Sequence, residues 1–349
     1  MMNNGQFVSH VVTGNSGMEW PKGSYNLIDF ASGIWIAGKA RSDGSVRTAA
    51  AEYRSEFQPG KILPDGKADD PNLLTYRWYE ITRDDLRNPG ADYLAWPFRD
   101  GAPLDDSGKP LLLGDQTLWC VFNDVDSALH NKMFSTKTMG IEVQMTVWGY
   151  DRPDFWGDIM FVKAKLIHRG TEIFDSAYFA IWDDADLGDA GDDFVGCDTT
   201  LNLGFIYNGD GHDASYLTPP PAIGRQLLQG PLVPSAGDTA FVSGRKIPGF
   251  RNLPMTTFPQ IFKHLSPINA THTFNYMRGG NRDGTPIVNP LNGDTTLIAY
   301  AGDPETDVGW TARHSMTPHD VRILLGSGPF TFSPGDTQEV VFAVTIARG

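Results

Sequence analysis

The sequence predicts an all-β protein, built as one or more antiparallel β-sandwiches with long loop-rich excursions and few short helices. Apolar and polar residues alternate in several segments, which is typical of strands buried on one face. Glycine, proline, asparagine and aspartate cluster between these segments, where turns are expected. Helical periodicity is scarce, and the few helix-like windows are interrupted by glycine or proline.

Three consecutive strands are predicted in the middle of the chain. The segment "IEVQMTVWGY" places the apolar side chains of residues 141, 143, 145 and 147 on one face, which would be the core face. The segments "DIMFVKAKLIHRG" and "DSAYFAIWDD" follow, separated by a polar turn at Arg169-Gly170-Thr171. A strand, a short polar connection and a second strand together predict an antiparallel hairpin.

Two further hairpins are predicted near the ends of the chain. The segment "GPFTFSPGDTQEVVFAVTIARG" contains a short strand, a Pro334-Gly335-Asp336 turn and a long alternating strand, and it is typical of an edge hairpin. The segment "NLIDFASGIWIAGKARSDGSVRTAAAEY" has "RSDGS" as the turn between two strands.

Composition divides the chain into three parts. Residues 1–217 are predicted to form a β-sandwich core with an acidic loop, and residues 294–349 to supply C-terminal strands that complete it. Residues 218–293 are rich in proline and glycine with few alternating runs, which predicts an insertion of loops and short helices. The whole is either a single large domain or two closely packed domains.

Charge limits the class of partner. The formal net charge of -14 argues against nucleic acid and anionic membrane surfaces, which both require lysine and arginine patches. No apolar run is long enough for membrane insertion.

The cellular location is less constrained by the sequence. Residues 1–17 contain no basic segment followed by an apolar core, so the chain is either a cytoplasmic protein or the mature part of an exported one. The 38 glycines and 24 prolines favour an extracellular or cell-surface location.

The most informative stretch is "WDDADLGDAGDDFVGCD", residues 182–198, which holds seven aspartates and no basic residue. Carboxylates so close together repel, unless protons or a cation lie among them. Calcium fits this role best, because it takes six to eight oxygen ligands in loose geometry. The stretch is predicted to leave a strand at Trp182 and to enter the next one at Leu201.

The candidate calcium ligands are the seven aspartates of this stretch, of which a subset would bind a structural Ca²⁺: Asp183, Asp184, Asp186, Asp189, Asp192, Asp193 and Asp198. Their spacing is not that of an EF-hand, since Val195 stands where that loop needs its bidentate glutamate. The alternative is an acidic loop that points to water and needs no metal.

The only two cysteines in the sequence, Cys120 and Cys197, form either one disulfide or two separate core thiols. Cys120 lies in a second polar segment that could complete the same metal site if the two cysteines are bridged. Its candidate residues are Asp115, Asn123, Asp124, Asp126 and His130.

No nucleophile elbow, P-loop, dinucleotide fingerprint or zinc-binding histidine pair occurs in a suitable setting, which favours a protein without enzymatic activity. Carboxylate pairs for glycoside hydrolysis stay possible, because their required separation is spatial. Tryptophans that could stack on sugars include Trp20, Trp35, Trp96, Trp156 and Trp310, although core packing is the usual fate of tryptophan. A glycan-binding or glycan-hydrolysing site would be built by residues 218–293.

Several segments together resemble the N-terminal region of large, uncharacterised secreted proteins of Gram-negative bacteria that carry a C-terminal sorting domain for type IX secretion. They include "EWPKGSYNLIDFASGIWIAGK", "DQTLWCVFNDVD", "DDADLGDAGDDFVGCDTTLNLGFIYNGD" and "GPFTFSPGDTQEVVFAV". This resemblance implies export and a β-rich module, and it implies no catalytic residue. The expected function is therefore a structural or adhesive module at the cell surface, whose partners are other surface proteins, further copies of itself or glycans.

Overall fold

The computed structural model describes residues 1–8 and 17–348. Strands account for 45% of it and helices for 11%, so the predicted all-β class is confirmed. The helices of the described part are short: α1 (Ala91–Leu94), α2 (Ser127–Lys132) and α3 (Ala270–Met277). Single 3₁₀ turns occur at Arg83–Leu86, Phe98–Asp100, Phe155–Asp158, Ala190–Asp192, Lys263–Leu265 and Ala312–His314.

Two antiparallel sheets contain most of the strands. The smaller, six-stranded sheet is formed by β1 (Gln6–Val8), β4 (Ala31–Ala40), β5 (Val46–Ala50), β11 (Phe174–Asp184), β17 (Ile261–Phe262) and β20 (Val321–Phe332). The larger, nine-stranded sheet is formed by β6 (Gln58–Pro59), β7 (Tyr79–Thr82), β8 (Gln116–Asn123), β9 (Ile141–Gly149), β10 (Ile159–His168), β12 (Asp193–Asp198), β13 (Leu203–Asn208), β14 (Pro221–Gln229) and β21 (Thr337–Arg348).

Three small ribbons complete the described strands. They pair β2 (Met18–Glu19) with β3 (Leu27–Asp29), β15 (Leu232–Val242) with β16 (Arg245–Asn252), and β18 (Ile287–Val288) with β19 (Thr295–Thr296).

The strand order differs from the order in the chain. The smaller sheet runs β1-β4-β11-β20-β17, and β5 also pairs with β4. The larger sheet runs β12-β13-β14-β21-β10-β9-β8-β6, and β7 also pairs with β8. The last strand, β21, therefore lies inside the larger sheet, between β14 and β10.

The main core lies between the two sheets. The predicted inward residues of β9, at positions 141, 143, 145 and 147, all belong to it, which confirms the predicted core face. The residues between them are also buried, on the opposite face of the sheet. Phe179 of the smaller sheet meets Phe342 of the larger one across this core, with ring centroids 6.4 Å apart. A second apolar cluster, including Trp35 and Trp182, lies on the outer face of the smaller sheet beneath α3.

Two predicted hairpins are wrong, because their strands belong to different sheets. β10 pairs with β9 and β21, whereas β11 pairs with β4 and β20. The connections after β10 and β20 are arches that cross the core, and they hydrogen-bond to each other through His168 and the Pro334–Asp336 turn. Alternating strands joined by a polar turn fit an arch as well as a hairpin. The hairpin at "RSDGS" is confirmed, since β4 pairs with β5.

The prediction of loops for residues 218–293 is also wrong in part. This region supplies β14 to the larger sheet, β17 to the smaller sheet and both strands of the β15–β16 ribbon. The inward positions of β14 are Ile223, Arg225 and Leu227, all buried. Because the middle inward position is an arginine and its neighbour is Gly224, the sequence of β14 does not show the apolar–polar alternation expected of a strand.

Within residues 1–8 and 17–348, no helix combines the length and the apolar character needed to cross a membrane.

Candidate metal site

The acidic stretch occupies two strands and the loop between them. β11 continues to Asp184, two residues beyond its predicted end, and β12 already begins at Asp193. The connecting loop is therefore residues 185–192, and the prediction of one long acidic loop up to Leu201 is wrong. Because side chains alternate along a strand, Asp183 and Asp184 point to opposite faces of the smaller sheet.

Asp183 points inward and belongs to a buried ionic cluster with Asp29 and Arg225. The guanidinium of Arg225, which comes from the larger sheet, lies 3.0 Å from the Asp183 carboxylate and also contacts Asp29. All three side chains are fully buried. Among the described residues nothing donates a hydrogen bond to Asp183, so Arg225 acts on it through its charge alone. Burial raises the pKa of Asp183 well above its usual range, although Arg225 opposes the shift.

Asp184 points outward, where its carboxylate converges with those of Asp186 and Asp320. One oxygen of each lies within 4.8 Å of the others. Asp184 ends β11, Asp186 follows in the loop, and Asp320 directly precedes β20, the strand beside β11. The antiparallel pairing of β11 and β20 thus brings residues more than 130 positions apart to one end of the smaller sheet.

Basic and phenolic side chains surround these three carboxylates. Arg322 Nη1 lies 2.6 Å from Asp184 and also contacts Asp320, and Lys263 Nζ lies 2.7 Å from Asp320. Tyr53 donates its hydroxyl hydrogen to Asp184 and accepts a hydrogen bond of 3.0 Å from Arg322. Asp184 and Asp320 are therefore partnered within the protein. No hydrogen bond or ion pair among the described residues reaches the Asp186 carboxylate.

The protonation of the three carboxyl groups differs because their surroundings differ. Burial raises the pKa of Asp184 to about 6, and burial together with the charge of Asp184 raises the pKa of Asp186 to about 7. Burial also acts on Asp320, but hydrogen bonds from Lys263 and Arg322 outweigh it and lower its pKa. A cation bound among these carboxylates would lower their pKa values, because it favours the ionised form.

One more buried acid faces the same region. Glu52 is 9% exposed, and its Oε1 has no hydrogen-bond partner among the described residues. Burial raises the pKa of Glu52 to about 8, and the charges of Glu56 and Asp184 add to the shift. The outer cluster of Asp184, Asp186 and Asp320 thus lies in an environment with an excess of buried carboxyl groups.

The donor atoms of the outer cluster fit a hard divalent cation. They are carboxylate oxygens, which calcium and magnesium prefer, and they include no histidine or cysteine that would favour zinc. Asp186 could bind such an ion without breaking any protein contact. Arg322 would have to share Asp184 and Asp320 with the ion, which limits the affinity of the site.

The remaining predicted ligands lie elsewhere or serve local structure. Asp189 accepts a hydrogen bond from Gly191 N, and Asp198 accepts from Thr200 N and Leu201 N, as in ordinary turns. Asp193 is fully buried and accepts from Leu187 N, and burial with the charge of Asp192 raises its pKa to about 8. The structure brings only Asp184 and Asp186 of the seven into the outer cluster.

Cys120 and Cys197 are buried free thiols, so of the two alternatives the structure has separate core thiols. The second polar segment does not complete the outer cluster. Its Asp124 accepts hydrogen bonds of 2.6 Å from Met139 N and Ile141 N, and its Asp126 caps α2. Burial lowers the pKa of His130, but Asp124 and Glu56 outweigh burial and raise it to about 10.

Sequence reasoning missed Asp320, Arg322, Lys263 and Tyr53. The segment "HDVRIL" offers one weak signal, an aspartate directly before an apolar strand that contains an arginine. Only the pairing of β20 with β11 shows that it belongs to the acidic stretch.

Comparison with known proteins adds no further constraint. No family model matches the chain. No curated protein matches it either.

Proposed function

We propose that this chain is a structural or adhesive β-sandwich module of an exported, cell-surface protein, and that Ca²⁺ bound by Asp184, Asp186 and Asp320 stabilises it. The convergence of these three carboxylates within 4.8 Å at the end of β11 is the observation that carries the proposal. The high glycine and proline content and the resemblance to type IX secretion substrates support the surface location.

The proposed ion would connect two adjacent strands and the loop that follows one of them. It would neutralise Asp186, which forms no ion pair with any residue that the structure describes, and it would fix the start of the 185–192 loop. Surface proteins meet millimolar calcium, and extracellular sites have dissociation constants of about 0.1 to 1 mM. At such concentrations a single site adds about 1 to 2 kcal/mol to the free energy of unfolding.

Thermal unfolding with calcium and with a chelator tests the proposal. Calcium should raise the melting temperature of the native chain by a few degrees, since one site adds about 1 to 2 kcal/mol. Asp186→Asn should abolish this shift, because it removes the one ligand carboxylate that makes no hydrogen bond or ion pair with the described residues. Asp198→Asn, in a turn outside the outer cluster, is the matched control and should keep the shift. Coinciding melting curves with calcium and chelator would reject calcium as the stabilising ion.

A further inference from the structure

A cleft of about 880 Å³ opens at one end of the larger sheet. Its floor consists of inward-facing apolar side chains from four neighbouring strands, β8, β9, β10 and β21: Leu118, Val147, Met160, Val344 and Ile346. Leu118, Met160 and Ile346 pack against the main core but are only partly buried. The apolar interior of the sandwich is therefore accessible from solvent at this end.

The rim of the cleft is acidic. It carries five carboxylates, those of Glu19, Asp84, Asp115, Asp151 and Asp158. The basic groups among the described lining residues are Arg83, which pairs with Asp115, and the Met1 amino group. Asp84 and Asp151 are exposed, and neither forms an ion pair with another described residue. An apolar floor inside an acidic rim fits a partner surface that is both apolar and basic.

The β15–β16 ribbon of the same chain has this complementary character. It carries Arg245, Lys246 and Arg251 against one carboxylate, Asp238, in a chain with a formal net charge of -14. The three basic residues are exposed, and their side chains form no ion pair with the described residues. Phe241, directly opposite Lys246 in the ribbon, is 51% exposed. The ribbon therefore presents basic and apolar groups together to solvent.

The ribbon and the cleft lie at opposite ends of β21. In the ribbon turn, Ser243 donates hydrogen bonds from its backbone nitrogen and its hydroxyl group to Glu339, near the start of β21. At the ribbon base, Leu232 N donates a hydrogen bond of 2.7 Å to Gln338. Ile346, in the floor of the cleft, lies about 23 Å further along the strand than Glu339. The ribbon is thus held in place, far from the cleft of its own chain.

We propose that the β15–β16 ribbon of one copy of this chain docks on the cleft of a second copy. The basic side chains of the ribbon would meet the acidic rim, and its apolar side chains would cover the floor. Because the ribbon is already fixed at its turn and its base, docking costs little ordering of the chain.

The contact joins two different surfaces, so every added copy offers one free ribbon and one free cleft. The copies therefore associate head to tail, in an open string or a closed ring. This proposal rests on the proposed structural role and deepens it by naming the partner, a second copy. It does not involve the calcium site.

Sedimentation velocity of the native chain, in chelator and over a range of protein concentrations, tests the proposal. Species larger than a dimer should form at low salt and decrease at high salt, because salt screens exposed charges. Lys246→Glu in the ribbon and Asp84→Lys at the cleft should each weaken association at least about tenfold, because each places like charges opposite each other. Lys137→Glu, an exposed site outside both surfaces, changes the net charge as Lys246→Glu does and should leave association unchanged.

A mixing experiment tests whether the contact is head to tail. Lys246→Glu keeps a working cleft but lacks a working ribbon, so it should stop the growth of native assemblies. Adding an excess of this variant to the native chain should therefore lower the mean mass, whereas adding Lys137→Glu should not. An unchanged mass with Lys246→Glu would overturn the proposal, since the native contact would then not use the cleft.

Two further results would overturn the proposal. The first is a native chain that stays monomeric at low salt, in which case the cleft accepts a different apolar and basic partner. The second is association that Lys246→Glu and Asp84→Lys both leave intact, although far-UV circular dichroism shows them folded. A monomeric chain that calcium still stabilises against heat would contradict this proposal alone and leave the calcium-stabilised module standing.

Discussion

Two ionic clusters lie on opposite faces of the smaller sheet at the end of β11. They differ in whether their carboxylates are accessible to a cation from solvent. The inner cluster of Asp29, Asp183 and Arg225 is closed, because all three side chains are fully buried between the sheets. The outer cluster of Asp184, Asp186 and Asp320 is partly open to solvent, and in the described part of the chain no side chain pairs with the Asp186 carboxylate. Asp183 and Asp184 are adjacent in sequence, but they belong to different clusters because their side chains point to opposite faces of the sheet.

The comparison also shows two ways in which a β-sandwich can accommodate neighbouring carboxyl groups. The inner cluster sets the single charge of Arg225 against Asp29 and Asp183, and burial raises the pKa of both carboxyl groups. The outer cluster uses Arg322 and Lys263 for two carboxylates and leaves Asp186 to water, a proton or a cation. Breaking each cluster separately should therefore affect stability in different ways.

The largest expected effect is on the inner cluster. Arg225→Met should lower the free energy of unfolding by about 3 to 5 kcal/mol, because it leaves buried carboxylates without a counter-charge. Urea unfolding at neutral pH measures this loss. Arg251→Ala on the exposed face of β16 is the control and should change stability by less than about 0.5 kcal/mol.

A rescue experiment decides whether the loss has the stated cause. The triple variant Asp29→Asn, Asp183→Asn, Arg225→Met carries no buried charge at this position, so it should recover much of the stability lost in Arg225→Met. If the triple variant is no more stable than Arg225→Met, packing of the arginine stem, and not charge, holds the two sheets together there.

The next effect is a pH dependence of the outer cluster in the absence of divalent cations. The folded-state pKa values of Asp184 and Asp186 are raised to about 6 and about 7, above the usual aspartate value. A raised acid pKa means that the folded state binds the proton more tightly than the unfolded state. Its stabilising contribution is present at about pH 4 and is lost as the pH rises to about 7.

Melting temperatures in chelator from pH 4 to pH 8 measure this dependence. Asp186→Asn should reduce the decline between pH 5 and pH 8, to which Glu52 and Asp193 also contribute. Asp189→Asn, in the same loop but outside the cluster, should leave the decline unchanged. Calcium should restore stability mainly above about pH 6, where Asp186 begins to ionise. An equal decline in the native chain and in Asp186→Asn would show that other groups cause it.

The smallest expected effect concerns Lys263, whose side chain is 71% exposed beside Asp320. Lys263→Ala should change stability by at most about 1 kcal/mol, because exposed ion pairs are screened by water and salt. It should tighten calcium binding, since Asp320 would lose one competing cation. Calorimetric titration measures this affinity, and weaker calcium binding in Lys263→Ala would contradict the placement of Asp320 in the site.

Sequence patterns predicted the local elements well and their partners poorly. The alternation in β9 identified the core face correctly, because successive side chains of a strand point to opposite faces of the sheet. The assignment of β10 and β11 to one hairpin failed, since local patterns do not encode which sheet a strand joins. The same limit applies to the candidate site. Asp184 and Asp186 were two of the seven candidate ligands, but Asp320 and Arg322 reach them only through long-range strand pairing.

The position of β21 has a consequence for the order in which this protein can fold. The larger sheet has two halves, β12 to β14 and β6 to β10, and β21 is the strand that joins them by pairing with β14 and β10. A chain that emerges from the ribosome or from a membrane channel with its N-terminus first cannot close this sheet until residues 337–348 have appeared. Until then, the inward residues of both halves are exposed to other chains, as in other slow-folding proteins with many long-range contacts. Truncation before Thr337 should therefore cause aggregation, whereas substitutions within β21 that keep its pattern need not.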